Sequence, residues 1–255
     1  MSGDFVSVRI LAVGASGPDG ELLRQGATLA AIQAFSHAAT AAQARAALGE
    51  NNVDIVLIDS AMVERDMREV FAAVRAARGP PSVVLVAPTR EEAADLAAIG
   101  VADAIAVKPA KPPDAKALIE GSVRLKVPSR VLVVDDSATM RTIVRKILGN
   151  CRFPLDVSEA AEGVDALKQI GAGKFDLILL DYNMPGLDGL EMLAEIKRQH
   201  PRLGVVMITS APDDTLAARA REAGAAGFLK KPFYPADIDA LLYVLYGLRP
   251  GGGNQ

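Results

Sequence analysis

Tryptophan is absent from the 255 residues, and aromatic residues make up only 4% of them. So few aromatic rings argue against surfaces on which nucleic-acid bases stack. The single cysteine, Cys151, excludes an intramolecular disulfide framework and fits a reducing, intracellular compartment. Its expected character is that of a small, partly buried apolar residue. No run approaches the roughly 18 uninterrupted apolar residues of a membrane span. The N-terminus carries Asp4 early and has no basic stretch before a long apolar run, so no signal peptide and a cytoplasmic location are expected. Excess charge is lacking too. A net charge of -3 gives no broad attraction to nucleic acid or to anionic membrane.

Apolar residues are plentiful, at 50% against 23% charged, which suits buried cores and excludes a disordered chain. The length exceeds what one compact domain ordinarily needs. Three landmarks recur in order at a nearly constant offset. Arg9-Ile10-Leu11-Ala12-Val13 is echoed by Arg130-Val131-Leu132-Val133-Val134. Val53-Asp54-Ile55-Val56-Leu57-Ile58-Asp59 is echoed by Phe175-Asp176-Leu177-Ile178-Leu179-Leu180-Asp181, and Lys108-Pro109 by Lys231-Pro232. Three ordered matches indicate two copies of one unit.

In the second copy, residues 131–134, 177–180, 205–208 and 227–229 are continuous apolar runs, as strands covered on both faces require. Helical patterns at 140–148, 164–170, 189–198 and 215–223 alternate with them. Such alternation predicts parallel strands and right-handed crossovers, hence an α/β fold with two doubly wound sheets in tandem. Val127-Pro128-Ser129 marks the boundary. The expected organisation is a first domain over 1–122, a linker over 123–129, a second domain over 130–248 and a disordered glycine-rich tail over 249–255.

Ligands of doubly wound sheets bind at the carboxyl ends of the strands. In the second copy those ends carry Asp135-Asp136, Asp181, Thr209-Ser210 and Lys230-Lys231-Pro232. Three carboxylates brought together repel and raise one another's pKa. A hard divalent cation relieves this. Magnesium takes a few carboxylate oxygens and leaves positions for phosphate oxygens. A lysine and a hydroxyl complete a cradle for a phosphoryl group, and an aspartate can act as nucleophile and form an acyl phosphate.

Residues 129–248 resemble a response-regulator receiver domain, particularly the single-domain chemotaxis regulators. The resemblance rests on Val133-Val134-Asp135-Asp136-Ser137-Ala138-Thr139-Met140-Arg141, Asp181-Tyr182-Asn183-Met184-Pro185-Gly186-Leu187-Asp188-Gly189, Ile208-Thr209-Ser210-Ala211 and Lys231-Pro232-Phe233. It implies flavodoxin-like (βα)5 domains, with Asp181 as phosphoacceptor. It further implies that Asp136, Asp181 and the backbone carbonyl of Asn183 bind magnesium directly, and that Asp135 does so through a water. Thr209 and Lys231 would hold the phosphoryl group, with a cis bond before Pro232. Phe228 stands where the family has its switch aromatic, and a plain core role on its strand is the alternative. Asn183 and Ala211 stand at the positions that tune the phosphoryl lifetime. The implied donor is a histidine kinase or histidine phosphotransfer protein. The face built from the last helix, strand and helix would serve an output protein or a dimer.

The first copy departs from the pattern. Gly14-Ala15 replaces the acidic pair, Ala87 is the nearest match to Thr209, and only Asp59 and Lys108-Pro109 persist. It reads as a degenerate receiver with weak magnesium binding. Gly14, Gly17 and Gly20 follow a strand, but Ser16 breaks a dinucleotide-binding turn and no Gly-Lys-Ser/Thr end makes a P-loop.

Other features carry weaker signals. Arg141, Arg145 and Lys146 share helical spacing and suit either a docking face or a solvated basic face. In the last helix, Ile238, Leu241, Leu242 and Leu245 form a core stripe, leaving Tyr243 and Tyr246 off it, where simple partial burial is the default and exposure at an interface the alternative. His37 and His200 belong to no metal-ligand cluster.

After residue 248 the sequence has no space for a helix-turn-helix or cyclase domain. The expected output is therefore protein contact or phosphorelay, and the expected chemistry is self-phosphorylation rather than enzymatic turnover. Two other classes compete. A phosphorylation-independent scaffold fits the first copy alone. A haloacid-dehalogenase-like phosphohydrolase needs a second acid two residues after its nucleophile, where Asn183 cannot act as a general acid.

Overall fold

The computed structural model describes residues 8–14, 17–50, 52–100, 102–184, 188–210 and 214–252. Ala15, residues 185–187 and Ala211, all named from the sequence, lie outside the described residues. The chain divides into two units, one of residues 1–127 with 243–255 and the other of residues 128–242.

In the first unit, β1 (Arg9–Val13), β2 (Ala34–Ala38), β3 (Ile55–Asp59), β4 (Ser82–Ala87) and β5 (Ala104–Val107) alternate with α1 (Pro18–Leu29), α2 (Ala41–Glu50), α3 (Glu64–Ala76), α4 (Arg90–Ile99) and α5 (Pro112–Val123). In the second, β6 (Ser129–Val134), β7 (Leu155–Ala160), β8 (Leu177–Asp181), β9 (Gly204–Thr209) and β10 (Gly227–Lys230) alternate with α6 (Ala138–Leu148), α7 (Gly163–Ala172), α8 (Gly189–Gln199), α9 (Asp214–Glu222) and α10 (Pro235–Leu245). The five strands of each unit are parallel and lie in the orders β5-β4-β3-β1-β2 and β10-β9-β8-β6-β7. Both are the flavodoxin-like doubly wound order expected from the sequence. Among the described residues, no helix is long and apolar enough to cross a membrane.

Burial explains the strand signal. Every residue of β3 and of β8 is buried. The edge strands β2 and β7 are only partly covered. One device recurs in both units. The Asp54 amide donates to the Arg9 carbonyl at 2.9 Å, and the Asp54 carboxylate accepts from the Arg9 amide at 2.8 Å. Arg130 and Asp176 repeat the arrangement, with the side-chain bond again at 2.8 Å. Each pair fixes the register between the first and third strands of its unit.

The C-terminus differs from expectation. The second domain was expected to run to residue 248 and the tail to be disordered. Instead the described residues from Tyr243 to Gly252 belong to the first unit, and residues 253–255 of the expected tail lie outside the described residues. Arg249–Pro250 forms β11, antiparallel to β5, and Gly252 bridges Ala102. Proline is tolerated there because β11 is an edge strand. Glycine allows close backbone approach: a Cβ on Gly251 would lie 2.2 Å from the Ala102 carbonyl oxygen. Tyr243 is buried more fully than the partial burial expected by default, and its hydroxyl donates to the Asp103 carbonyl at 2.8 Å.

The tail therefore covers an edge of β5 that would otherwise present unpaired backbone groups. Gly251→Ala should lower the stability of the first unit by about 1–3 kcal/mol in urea unfolding. It should also speed amide hydrogen exchange along β5. Unchanged exchange in β5 would contradict this role for the tail.

Candidate functional site

The sheet order determines which side chains meet at the strand ends of the second unit. β6 and β8 are neighbours, with Val134 paired to Leu180, so Asp135 and Asp181 emerge side by side. Both are buried, at 3% and 5% exposure, whereas Asp136 is exposed. The carboxylates of Asp135, Asp136 and Asp181 offer oxygens that all lie within 4.8 Å of one another.

Lys231 follows β10 and reaches across β9. Its ammonium donates to Asp135 Oδ2 at 2.8 Å and to Asp181 Oδ1 at 3.0 Å. Its backbone amide donates to the Thr209 carbonyl at 2.8 Å, and its peptide bond to Pro232 is cis. Thr209 ends β9 and is fully buried. Phe228 lies in β10, half-buried and packed against the core, and Asn183 is exposed two residues beyond β8.

Local structure holds the loops. The Asp135 carboxylate accepts from the Ser137 amide at 2.9 Å, and Ser137 caps α6 by accepting from the Met140 amide at 3.3 Å. Asp188 caps α8 by accepting from the Leu190 amide at 2.9 Å.

The charge balance is unequal, with three carboxylates facing one ammonium. Burial pushes the Asp181 carboxyl above its ordinary value. The Lys231 hydrogen bond and charge pull it down without restoring it, and Asp135 and Asp136 push it up further. Burial acts to lower Lys231, but its hydrogen bonds to Asp135 and Asp181 and their charges raise it overall. A divalent cation bound by carboxylate oxygens suits this donor set and its excess negative charge.

In the first unit the equivalent strand ends are organised differently. Lys108 follows β5, and its amide donates to the Ala87 carbonyl at 2.7 Å, so Ala87 stands in the place of Thr209. Thr89 caps α4 instead, accepting from the Glu92 amide at 3.2 Å. The Lys108 ammonium donates to Asp59 Oδ2 at 3.1 Å and to Asp19 Oδ2 at 2.8 Å. Asp19, in the first turn of α1, was not singled out from the sequence because no motif marks it. Gly14, at φ +84°, leaves room for Met62: a Cβ there would lie 2.5 Å from Met62 Cγ and 3.4 Å from Asp59 Cβ. The cavity beside Asp59 and Lys108 measures about 10 Å³, about the room one water needs.

Arg141 also differs from its reading as part of an exposed basic face. Its side chain is only 16% exposed and reaches Glu159 at 3.1 Å.

Residues 131–243 match the family model of the response regulator receiver domain, and this stretch is a receiver domain of the kind used in two-component signalling. Over 121 residues the chain is 36% identical to the cyclic di-GMP phosphodiesterase response regulator RpfG of Xanthomonas campestris, covering 47% of this chain and 32% of that one. Over 116 residues it is 35% identical to the response regulator UvrY of Escherichia coli, covering 46% and 53%. The chain thus spans about half of UvrY and a third of RpfG. Solved structures with similarity include chemotaxis protein CheY4 of Vibrio cholerae, at 31% identity and a TM-score of 0.40, covering 44% of this chain and 93% of that one. A Francisella receiver domain matches at 27% identity and a TM-score of 0.42, covering 46% and 96%.

The raised Asp181 carboxyl has a pH signature. A group whose folded pKa lies above its unfolded value stabilises the fold below the unfolded pKa, near 3.9 for aspartate, and loses that contribution as pH rises through the folded pKa. Asp181→Asn should therefore stabilise the second unit at neutral pH, since Lys231 keeps Asp135 as partner. The gain should shrink as pH falls through the raised folded pKa and be gone below about 4. Urea unfolding at pH 7 and at low pH checks this, and a variant less stable than wild type at pH 7 would contradict it.

Proposed function

We propose that the chain is a two-component response regulator whose second unit accepts a phosphoryl group on Asp181 from a phosphohistidine donor. The observation that carries this reading is the clustering of Asp135, Asp136 and Asp181 with Lys231 bridging two of them. Asp136, Asp181 and the backbone carbonyl of Asn183 would hold magnesium, with Asp135 assisting through a water. When bound, the cation supplies neutralisation of the phosphoryl oxygens' charge.

An Asp181 carboxylate oxygen attacks phosphorus, the bond from phosphorus to the donor imidazole nitrogen breaks, and its electron pair stays on that nitrogen. Lys231 exchanges part of its contact with Asp135 and Asp181 for a phosphoryl oxygen. The Thr209 hydroxyl donates to another, and Phe228 changes rotamer with it. Release of phosphate by water returns the site to its starting state, with Asn183 and Ala211 setting the rate. The chemistry is confined to the chain's own carboxylate, so the protein acts as a phosphoacceptor rather than an enzyme. It works in the cytoplasm and signals through protein contact or phosphorelay.

The first unit is read as a degenerate receiver that docks or modulates. Its support is the Lys108 pairing with Asp19 and Asp59, together with Met62 packed against Gly14. This site holds two carboxylates against one ammonium and has no acidic pair at the end of β1, so it calls for no divalent cation.

A groove of about 360 Å³ in the second unit supports a protein donor. It is lined by Met140, Ile143, Val144 and Ile147 of α6 and by Lys231, Pro232 and Phe233. An apolar helix face laid along α6 would bring its histidine toward Asp181. Ile143 is 43% exposed there. Ile143→Glu should slow phosphotransfer from a protein donor by about tenfold, the effect of losing about 1.4 kcal/mol. Phosphorylation by a small-molecule donor should be unchanged. Equal loss with both donors would count against the groove as the docking face.

The function itself is tested by phosphate-affinity gel mobility after incubation with a small-molecule phosphodonor and magnesium. A shifted band should form in wild type and in Asp59→Asn and be lost in Asp181→Asn. A shift that survives in Asp181→Asn would overturn the assignment.

A further inference from the structure

The backbone carbonyls of Asp135 and Asp136 lie just past the end of β6, where the strand ladder stops. The last ladder contact is the Asp135 amide to the Ala160 carbonyl at 3.3 Å. Beyond it, a single side chain from α6 takes over. Arg141 Nη1 donates to the Asp135 carbonyl at 2.8 Å and to the Asp136 carbonyl at 3.3 Å. The same guanidinium donates through Nε to Glu159 Oε2 at 3.1 Å. Glu159 sits on β7, paired in register with Val133. It is held in turn by Arg145 Nε at 3.5 Å, while Gln169 donates to its carbonyl at 3.1 Å.

We propose that Arg141 is a positioning residue for the acidic pair, clamping the Asp135 and Asp136 carbonyls to Glu159 so that their carboxylates stand ready for a divalent cation. The inference rests on the magnesium reading of this site. The physical need is clear. Two adjacent carboxylates beside a third repel, and a loop without strand partners would let them spread. A planar guanidinium with five donors can bridge two carbonyls and a carboxylate at once, which a lysine ammonium cannot do in the same geometry.

The chain contains its own comparison. By strand register, His37 of β2 stands where Glu159 does, since Ala12 pairs with His37 as Val133 pairs with Glu159. By the offset of the Arg9 and Arg130 landmarks, Gly20 stands where Arg141 does. The first unit thus keeps the frame shared by both copies, the Arg9–Asp54 exchange and the Lys108–Asp59 pair. It lacks the acidic pair and both halves of the clamp together. That joint loss is what a clamp serving only the acidic pair predicts.

The test uses the full chain and two readouts, the affinity for Mg2+ or Mn2+ by calorimetry and amide exchange of the loop after β6 without metal. Arg141→Gln should weaken metal binding by about tenfold to a hundredfold, the usual effect of losing a partner that orients a metal ligand. It should also speed exchange at Asp136 and Ser137. Glu159→Ala should do the same, and Glu159→Gln should recover most of the affinity, because its amide oxygen still accepts from Arg141. Wild-type affinity in a folded Arg141→Gln variant would overturn the clamp and leave the magnesium reading standing. Absence of metal binding in wild type would overturn both.

Discussion

Lys231, at the end of β10, contacts Asp181 two strands away and Asp135 three strands away, and this double ion pair sets the terms for the second unit. The lysine and both aspartates are nearly buried, with side-chain exposures of 12%, 5% and 7%. A buried ion pair is weak evidence for stability, because desolvation offsets most of its attraction. Here the balance is worse still, since Asp136 adds a third carboxylate nearby. Such a site makes physical sense if something positive is meant to join it. The sheet order makes the cluster possible. β6 and β8 are neighbours, β9 intervenes, and the long stem of Lys231 spans the gap from the end of β10.

The first unit uses the same scaffold to reach the opposite result. Its lysine finds its second carboxylate on α1, at Asp19, rather than at the end of β1. Methionine fills the space that glycine opens at position 14. Little room and little excess charge remain. Two similar frames, built on the same reciprocal arginine–aspartate exchange, thus carry one site of three carboxylates against one ammonium and one of two against one.

The doubly wound fold was legible because parallel strands buried on both faces need continuous apolar runs, and runs such as Leu177-Ile178-Leu179-Leu180 have few other uses. The strand-end residues of the candidate site were legible for the same reason, since each follows such a run directly. What escaped depends on neighbours distant in sequence. A glycine-rich tail suggests flexibility from composition, yet Gly251 is there to let backbone approach backbone. Tyr243 falls off a stripe drawn for one core, but the end of its helix belongs to the other unit and its hydroxyl bonds Asp103. Helical spacing put Arg141 on a basic face, while Glu159, 18 residues away on β7, draws it inward.

The central claim is that Asp181, in its cluster with Lys231, is the residue that carries the phosphoryl group. The most direct measurement is chemical trapping. The full chain is treated with a small-molecule phosphodonor and magnesium, reduced with borohydride to convert an acyl phosphate to homoserine, and mapped by peptide mass spectrometry. The account predicts homoserine at position 181 and intact aspartate at position 59. Homoserine at 59, or at neither position in a folded, magnesium-bound protein, would contradict it.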